Sequence, residues 1–551
     1  MKRLINVISK YKTYLPEILL FFGIFILFKV NSYYVSYPDE FVNLLGAQSI
    51  NHGGIPYKNF FDHHLPFAWY LGAILLKISF NSFVLFRFWW AVLVFGSLLF
   101  LALWIKKHYR DFYPYYLIFF VTYPLLAVYF WFHLYLADSL AMLFFSIIFW
   151  LLLVQTLSKK INFKTLIITS LLSFCFLFSS MTFLYLILAL YLWQLYLVGW
   201  NGRKLIIFII ISSIPYLLYL LYLLITNSIY DFYFANFVYN TKLYISIPNY
   251  TMGRFFNPLK FGLTLIYNFY GNYLPLLSKI KHLDLFLPIG VLAGLGSLTL
   301  LIILLTKNPV VGVLYFFVLS FSAPRSNIQN YKETDYQGSL FIVLGTVSAF
   351  FAIYLLRKLK TNDILVNDLR RITQLLLTTF MFFSFIFLLK NTYDKYYLVY
   401  TQKMPHIYDL SYTAEFIDQI LDKNEYYWVG PYEPQEDFFV KKARLPGKYP
   451  TLLPQFREDD YLKNSFINQF ELNPPSMIIF RHEASIFMTP ALEFGKFFTD
   501  WMSDKYTSIE NIKGVKVLKS PSSFNFRTDL YLRNEKKEKI LEKLRINGYI
   551  D

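Results

Sequence analysis

The sequence is poor in charged residues and contains a single cysteine. Only 16% of its 551 residues are charged, whereas 56% are hydrophobic and 21% are aromatic. A typical soluble domain has about 25% charged residues, so this composition excludes an ordinary soluble globular protein. Cys175 has no partner in the chain, which excludes an intramolecular disulfide framework and a cysteine-based zinc site. The sequence also contains no internal repeat, P-loop, GxGxxG, HExxH or nucleophile-elbow motif.

Long apolar runs recur over roughly the first 390 residues, and each can cross a bilayer as a helix. We therefore predict an all-α polytopic membrane protein with about eleven transmembrane helices. The predicted spans are centred on residues 14–30, 87–105, 114–130, 139–157, 165–180, 183–199, 205–226, 284–305, 309–323, 339–356 and 372–389. The basic N-terminal sequence MKRLINVISKYK has no small-residue cleavage site after it, so we interpret the first span as a retained anchor.

The basic residues indicate how the spans are oriented. The formal net charge is +17, which in a soluble protein would suggest nucleic acid. Here the bases flank apolar runs, so membrane topology explains most of them and we expect no nucleic-acid partner. The positive-inside rule places the N-terminus in the cytoplasm, and an odd number of spans leaves the C-terminal part outside. The predicted external segments contain no cysteine, which favours a bacterial plasma membrane, and we expect an integral protein of that membrane.

The chain divides by composition into two predicted domains. Residues 1–390 form the membrane domain, which carries two long external loops, 31–86 and 227–283. Aromatic stretches within these loops, from Phe67 to Phe80 and from Phe261 to Leu277, suit helices lying in the interface. Residues 391–551 have a soluble composition and predict a small extracytoplasmic α/β domain. Its predicted strands are Tyr426 to Val429, Met477 to Phe480 and Val515 to Leu518.

The first external loop begins with SYPDEF, which places Asp39 and Glu40 just after the first span. Two acids beside a bilayer surface suit a general base that removes a proton from an acceptor hydroxyl. The alternative is a solvated loop start or a helix N-terminus, where the helix dipole favours acidic residues.

Further along the same loop, the sequence FFDHHLP concentrates Asp62, His63 and His64 close to Lys58. Carboxylate and imidazole groups can bind a metal ion or a phosphate. Consecutive histidines on a loop are more often solvated, and adjacent side chains do not easily share one ion. We therefore expect no obligatory cofactor and keep Asp62, His63 and His64 as candidate ligands for a divalent metal.

Two further external positions carry candidate residues. Asp138 lies at the external end of the fourth span, where an ionisable residue suits a functional role. Asp138 or Ser139 also suits the N-cap of that helix, and the two roles are compatible. The polar loop from Ser322 to Gly338 contains Arg325, Tyr331 and Glu333. Arg325 suits phosphate binding, and the alternative is an interfacial anchor in which Arg and Tyr side chains lie at headgroup depth.

These features resemble the GT-C superfamily of integral-membrane glycosyltransferases in their order along the chain and in their shared predicted location on the external side. The resemblance is to the branch that contains protein O-mannosyltransferases and lipid A aminoarabinose transferases. It covers roughly residues 1–390 and is carried by the basic N-terminus, the Asp39-Glu40 pair, FFDHHLP and Asp138. Related sequences often have Lys-Pro-Pro where this chain has His64-Leu65-Pro66.

The resemblance implies transfer of a sugar from a polyprenyl-phosphate donor on the external side. It implies that Asp39 is the catalytic base, with Glu40 as its motif partner and Asp138 as a second acid. Substrate-binding residues would be Lys58, Asp62, His63, His64, Arg325, Tyr331 and Glu333. The acceptor, a lipid, a glycan or a protein, would displace the phosphate directly, with inversion.

Two alternatives come from other classes of protein. A transporter or flippase of lipid-linked glycans would place charges near the middle of its spans and would show related halves. A non-catalytic scaffold for surface assembly would tolerate replacement of Asp39 and Asp138.

Overall fold

The structure is a computed structural model that describes residues 15–244, 287–322, 339–359, 363–401, 409–521 and 523–551. The predicted interfacial helix from Phe261 to Leu277 lies outside these residues. The described helices are, in chain order, α1 (Leu15–Asn31), α2 (Pro38–Asn51), α3 (Phe67–Ile78), α4 (Phe83–His108), α5 (Tyr113–Tyr129), α6 (Ala137–Ser158), α7 (Phe163–Ser179), α8 (Leu184–Val198), α9 (Gly202–Ile225), α10 (Ile229–Tyr233), α11 (Leu287–Lys307), α12 (Pro309–Ser320), α13 (Ser339–Lys358), α14 (Ile364–Thr401), α15 (Tyr412–Ile420), α16 (Pro434–Phe439), α17 (Asp460–Leu472), α18 (Ala491–Phe494), α19 (Lys496–Met502), α20 (Phe526–Asp529) and α21 (Lys537–Ile546). A π-helix, Phe234–Leu243, follows α10.

Each of the eleven predicted apolar stretches coincides with a helix. Within the described residues, eight helical segments are long and apolar enough to cross a membrane: Phe83–His108, Arg110–Tyr129, Ala137–Ser158, Met181–Val198, Gly202–Ile225, Pro288–Lys307, Ser339–Lys358 and Ile364–Tyr397. Helices α1, α7 and α12 are shorter, with 17, 17 and 12 residues. The chain is therefore a multi-pass membrane protein, and the number of eleven spans stays a prediction.

Contacts between Cα atoms divide the chain into two compact units. The first, the membrane unit, consists of the described residues within Met1–Ser36, Val84–Tyr219 and Asn257–Ile407. The second, the loop unit, consists of those within Tyr37–Phe83, Leu220–Phe256 and Tyr408–Asp551. The loop unit thus combines residues of both long predicted loops with the C-terminal region.

Helix α13 is the most deeply buried element of the membrane unit, because Ser339 through Leu356 are all buried. It packs closely against α11 through small residues. A Cβ atom added to Gly345 would lie 2.4 Å from the Cβ of Ala293, so only a glycine allows this approach. Small residues serve the same purpose in other membrane helix pairs.

Local sequence explains several helix boundaries. Asn308 caps α12, because its side-chain oxygen accepts a hydrogen bond from the backbone N–H of Val311, and a proline follows it at the first helical position. Ser411 caps α15 in the same way, through the N–H of Ala414. Helix α2 begins with Pro38 and has Asp39 and Glu40 in its first turn. The helix N-terminus that the sequence analysis gave as an alternative for these acids is therefore confirmed as their location.

The C-terminal part of the loop unit contains a four-stranded sheet with the order β1-β2-β6-β5. The first two strands are parallel and the other neighbours are antiparallel. The described strands are β1 (Tyr427–Gly430), β2 (Met477–Phe480), β3 (Ser485–Ile486), β4 (Thr489–Pro490), β5 (Tyr506–Ser508) and β6 (Leu530–Arg533), of which β3 and β4 form a separate two-stranded sheet. This region is the predicted strand-containing part of the chain.

The predictions of β1 and β2 are confirmed, but the prediction of a third strand from Val515 to Leu518 is wrong. Val517 makes only an isolated bridge, to Ile550. Val515 and Val517 pack against the hydrophobic core at alternate positions, which produces an alternating pattern without a hydrogen-bonded ladder. The sheet is completed by β5 and β6 instead.

Helices α2 and α3 pack against each other in the loop unit, and α16 covers another part of α2. At Gly46 an added Cβ atom would lie 2.7 Å from Cγ of Trp69. The ring of Phe41 lies 5.7 Å from that of Phe438 and 5.9 Å from that of Phe439, between ring centroids. The first predicted loop is thus a packed helical pair that contacts the C-terminal region.

Candidate functional site

Asp39 is held by a residue that is distant in the sequence. Its side chain is half-buried in the first turn of α2. The hydroxyl of Tyr432 donates a hydrogen bond to Oδ1 of Asp39, with an O···O distance of 2.7 Å. Glu40, the next residue, is completely buried, because adjacent helical residues point in different directions. Of the two acids, Asp39 is the one with solvent exposure.

Tyr432 comes from the carboxyl edge of the small sheet. It follows β1, and Arg481 follows the parallel strand β2 and donates its backbone N–H to the carbonyl of Gly430. Ligand and catalytic sites often lie at this edge of parallel strands. Tyr432 was not predicted as a site residue, although its position just after a predicted buried strand is the signal that could have identified it.

An ion-pair cluster lies next to Tyr432. Arg481 contacts Glu433 at 3.0 Å and Glu436 at 3.4 Å. Burial raises the pKa of Glu433 to about 7, although the positive charge of Arg481 opposes this shift. The carboxylate of Glu433 is therefore titratable close to neutral pH.

The side chains of Asp62, His63 and His64 converge, although they are adjacent in the sequence. The Nδ1 atoms of His63 and His64 each lie 3.1 Å from a carboxylate oxygen of Asp62. Asp62 is 7% exposed, and its Oδ1 also accepts the backbone N–H of His63 at 2.7 Å. Burial alone would raise the pKa of Asp62, but the charge and hydrogen bonds of the two imidazoles outweigh it and hold that pKa well below its usual range.

The backbone of this motif is fixed from two sides. The hydroxyl of Tyr57 donates to the carbonyl of His64 at 2.8 Å, and Nδ2 of Asn240 donates to the carbonyl of His63 at 3.0 Å. The ring of Tyr244 stacks on His63 with a centroid distance of 4.6 Å. Lys58, the remaining candidate of this loop, is exposed and its Nζ lies 3.4 Å from the carbonyl of Thr226.

Asp138 lies in the membrane unit, where it is 7% exposed. The expectation that Asp138 or Ser139 caps α6 is wrong. The helix begins at Ala137 and its N-cap residue is Leu136, so Asp138 and Ser139 both lie inside the first turn.

A buried polar group in the membrane unit holds the segment that follows α1, and it was not predicted from the sequence. Arg87 is completely buried, and its Nη2 donates to the carbonyls of Tyr34 at 2.9 Å and Val35 at 3.2 Å. The same Tyr34 carbonyl lies 3.3 Å from Nε2 of His133. Burial, with the charges of Arg87 and Lys395, lowers the pKa of His133 to about 3. An arginine inside an apolar run is the sequence signal for such a group.

The membrane unit also contains an apolar cavity of about 310 Å³. It lies among α5, α11, α13 and α14 and includes the hydroxyl residues Thr122, Thr346 and Ser384. Each hydroxyl donates to a carbonyl of its own helix, at 2.7, 2.8 and 2.6 Å respectively. The cavity wall therefore has little polar character, and apolar cavities exclude water and accept hydrocarbon.

The other predicted site residues, Arg325, Tyr331 and Glu333, lie outside the described residues.

No protein-family model matches the chain, and no curated protein matches it at a significant level. The resemblance to the GT-C superfamily therefore stays a prediction from the sequence.

Proposed function

We propose that the protein is an integral-membrane glycosyltransferase of the GT-C type that uses a polyprenyl-phosphate sugar as donor. The observation that carries this proposal is the geometry of Asp39. A half-exposed carboxylate at a helix N-terminus, oriented by the hydroxyl of Tyr432 at 2.7 Å, has the accessibility that a general base needs. The sequence context of Asp39, just beyond the first predicted span, suits an acceptor that reacts at the membrane surface.

In the proposed reaction Asp39 accepts the proton of the acceptor hydroxyl. The acceptor oxygen then forms a bond to the anomeric carbon as the bond between that carbon and the phosphate oxygen breaks. The electron pair of the broken bond leaves with polyprenyl phosphate, and the anomeric centre is inverted. Because phosphate is a good leaving group, cations suffice to stabilise it. The sequence suggests Arg325 and Lys58 for this role, and also His64 in its protonated, metal-free state. Asp138 is the second acid of the proposal.

The cavity of the membrane unit supports a lipid-linked donor. Its volume of about 310 Å³ is at the lower end of the range of small-molecule pockets, roughly 300–1,000 Å³. Two of the side chains around it, Ile118 and Phe382, are exposed on the surface of the membrane unit. A hydrocarbon chain is the ligand that an apolar cavity in a membrane protein favours.

The alternative of a transporter receives less support from the described spans. Arg87 and Asp138 lie within the first two turns of their helices, and Lys395 lies within the last two turns of α14. A transporter would be expected to place its substrate-binding charges near the middle of the bilayer.

The proposal is tested with the purified full-length protein in proteoliposomes. Polyprenyl-phosphate hexoses and pentoses are supplied in turn, and release of polyprenyl phosphate is measured with and without cell-envelope extracts as acceptor. We expect release from at least one donor, faster with extract. No release from any donor, together with transport of a lipid-linked glycan across the same vesicles, would replace the proposal by the transporter.

A further inference from the structure

The ligand atoms of Asp62, His63 and His64 form a compact group. One ligand atom from each residue can be chosen so that all three lie within 4.8 Å of one another. Three consecutive residues in a helix or strand could not achieve this, because their side chains would point in different directions. Here the chain bends at His63 and His64, and both imidazoles turn towards the same carboxylate.

The observed separations agree with those of a metal site. Zinc binds imidazole nitrogen at about 2.0–2.1 Å and carboxylate oxygen at about 2.0–2.2 Å, so two ligands on a tetrahedron are roughly 3.3–3.5 Å apart. Both Nδ1 atoms lie 3.1 Å from the Asp62 carboxylate. Small movements of the side chains would therefore convert the two hydrogen bonds into a coordination shell.

The donor set indicates which ion would bind. Two imidazoles and one carboxylate are the ligands of mononuclear zinc and non-haem iron sites, whereas Mg²⁺ and Ca²⁺ prefer oxygen ligands. Three protein ligands leave at least one coordination position for water or substrate. The side chain of His64 is 30% exposed and that of His63 is 17% exposed, so solvent reaches the group.

The group is also held in place by its surroundings. The contacts of Tyr57 and Asn240 with the backbone carbonyls fix the bend, and Tyr244 stacks on His63. Tyr57 itself is completely buried, so its hydroxyl is positioned by the core of the loop unit. Such supporting contacts orient ligands and lower the cost of ordering them when an ion binds.

We propose that Asp62, His63 and His64 bind one divalent transition metal ion, with Zn²⁺ as the probe. The ion then replaces the two imidazole contacts in balancing the burial of the Asp62 carboxylate. The proposal does not depend on sugar transfer, because metal binding is measured without donor or acceptor.

The experiment uses the full-length protein in detergent, stripped with a chelator and dialysed against Zn²⁺. We expect about one bound ion per chain by elemental analysis. Asp62→Asn and His64→Asn should each lower the bound zinc about tenfold or more at limiting zinc. His52→Asn is the matched control, because His52 is an exposed histidine in the same unit, and its zinc content should equal that of the wild type.

A second measurement uses only the wild-type protein, so it does not depend on whether the variants fold. Co²⁺ added to the stripped wild-type protein should give the visible absorption bands of a low-coordinate cobalt site, and Zn²⁺ should displace them. Two results would overturn the proposal and leave only a hydrogen-bonded triad. One is an equal zinc content per chain in the wild type and in folded Asp62→Asn. The other is a wild-type protein that shows no cobalt absorption bands. Failure of sugar transfer would leave either result unchanged.

Discussion

Replacing Asp39 by asparagine separates its proposed chemical role from its structural one. The substitution removes the negative charge and the ability to accept a proton, but it keeps the shape of the side chain. An asparagine Oδ1 can still accept the hydrogen bond that Tyr432 donates at 2.7 Å. We therefore expect a folded protein whose rate of sugar transfer is greatly reduced.

The magnitudes of the two effects differ. A hydrogen bond to a charged group contributes about 1.5–3 kcal/mol and a neutral one about 0.5–1.5 kcal/mol. Loss of the carboxylate at the start of α2 adds about 0.3–1 kcal/mol, because the helix dipole stabilises a negative charge there. Since Asp39 is only half-buried, we expect a stability loss of about 1–2 kcal/mol. A general base contributes about 10²–10⁴-fold to the rate, which is about 3–5 kcal/mol of activation free energy.

The assay measures donor consumption and product formation at saturating donor, together with thermal unfolding of the same preparation. Asp460→Asn is the matched control, because Asp460 is also an acid in the first turn of a helix, paired with Lys463 at 2.8 Å and fully outside the site. It should keep wild-type turnover. An Asp39→Asn protein within about threefold of the wild-type rate would refute the assignment of Asp39 as the base.

Tyr432→Phe tests the orientation of the base in the same assay. The variant keeps the carboxylate and loses only the hydrogen bond, so we expect a decrease in kcat of about tenfold, smaller than that of Asp39→Asn. A larger loss in Tyr432→Phe than in Asp39→Asn would mean that the hydroxyl, and not the carboxylate, takes part in the chemistry.

Three further predictions concern packing, topology and pH. Gly46→Ala should destabilise the protein by about 1–3 kcal/mol in thermal or denaturant unfolding, since its Cβ would meet an indole ring at 2.7 Å, whereas Gly96→Ala has no atom within 4 Å and should cause no loss. In a cysteine-free background, Ser485→Cys should react with an impermeant thiol reagent in intact cells and Lys160→Cys should not, and the reverse pattern would invert the predicted topology. The pKa of Glu433 is about 7 in the folded protein and has an ordinary value of 4.5. Between these pH values the folded state therefore binds more protons than the unfolded state. The free energy of unfolding should fall as pH rises from 4.5 to 7. Glu433→Gln should flatten that decline, and an unchanged profile would show that Glu433 does not titrate there.

The helices of the membrane unit could be predicted from the sequence because the signal is local. A long apolar run satisfies its backbone hydrogen bonds only as a helix in a bilayer, so hydropathy located the eleven helices of this unit that the structure describes. The composition change at Lys390 marks no helix end, since α14 continues to Thr401. Helix boundaries depend on caps and packing, which hydropathy does not measure.

The candidate site could be predicted only in part. The SYPDEF motif placed Asp39 at a helix start, but its partner Tyr432 is 393 residues away in the sequence, and no local pattern encodes that contact. The convergence of Asp62 with two histidines was likewise not predicted. It depends on a bend held by Tyr57 and Asn240, and the second of these residues comes from the other long loop.

The C-terminal region is structurally necessary for the first loop, because it supplies both a polar and an apolar contact to α2. Leu44 and Phe41 on α2 are almost completely buried, and the two phenylalanines of α16 pack against Phe41. Without α16 this apolar surface would contact water, at a cost of about 25 cal/mol per Å². Gln48, one helical turn further along α2, donates to the carbonyl of Phe438 at 3.3 Å. Asp39 therefore belongs to a packed structural unit that is built from two distant parts of the chain. Such a unit can hold a carboxylate in one orientation, whereas an isolated loop could not.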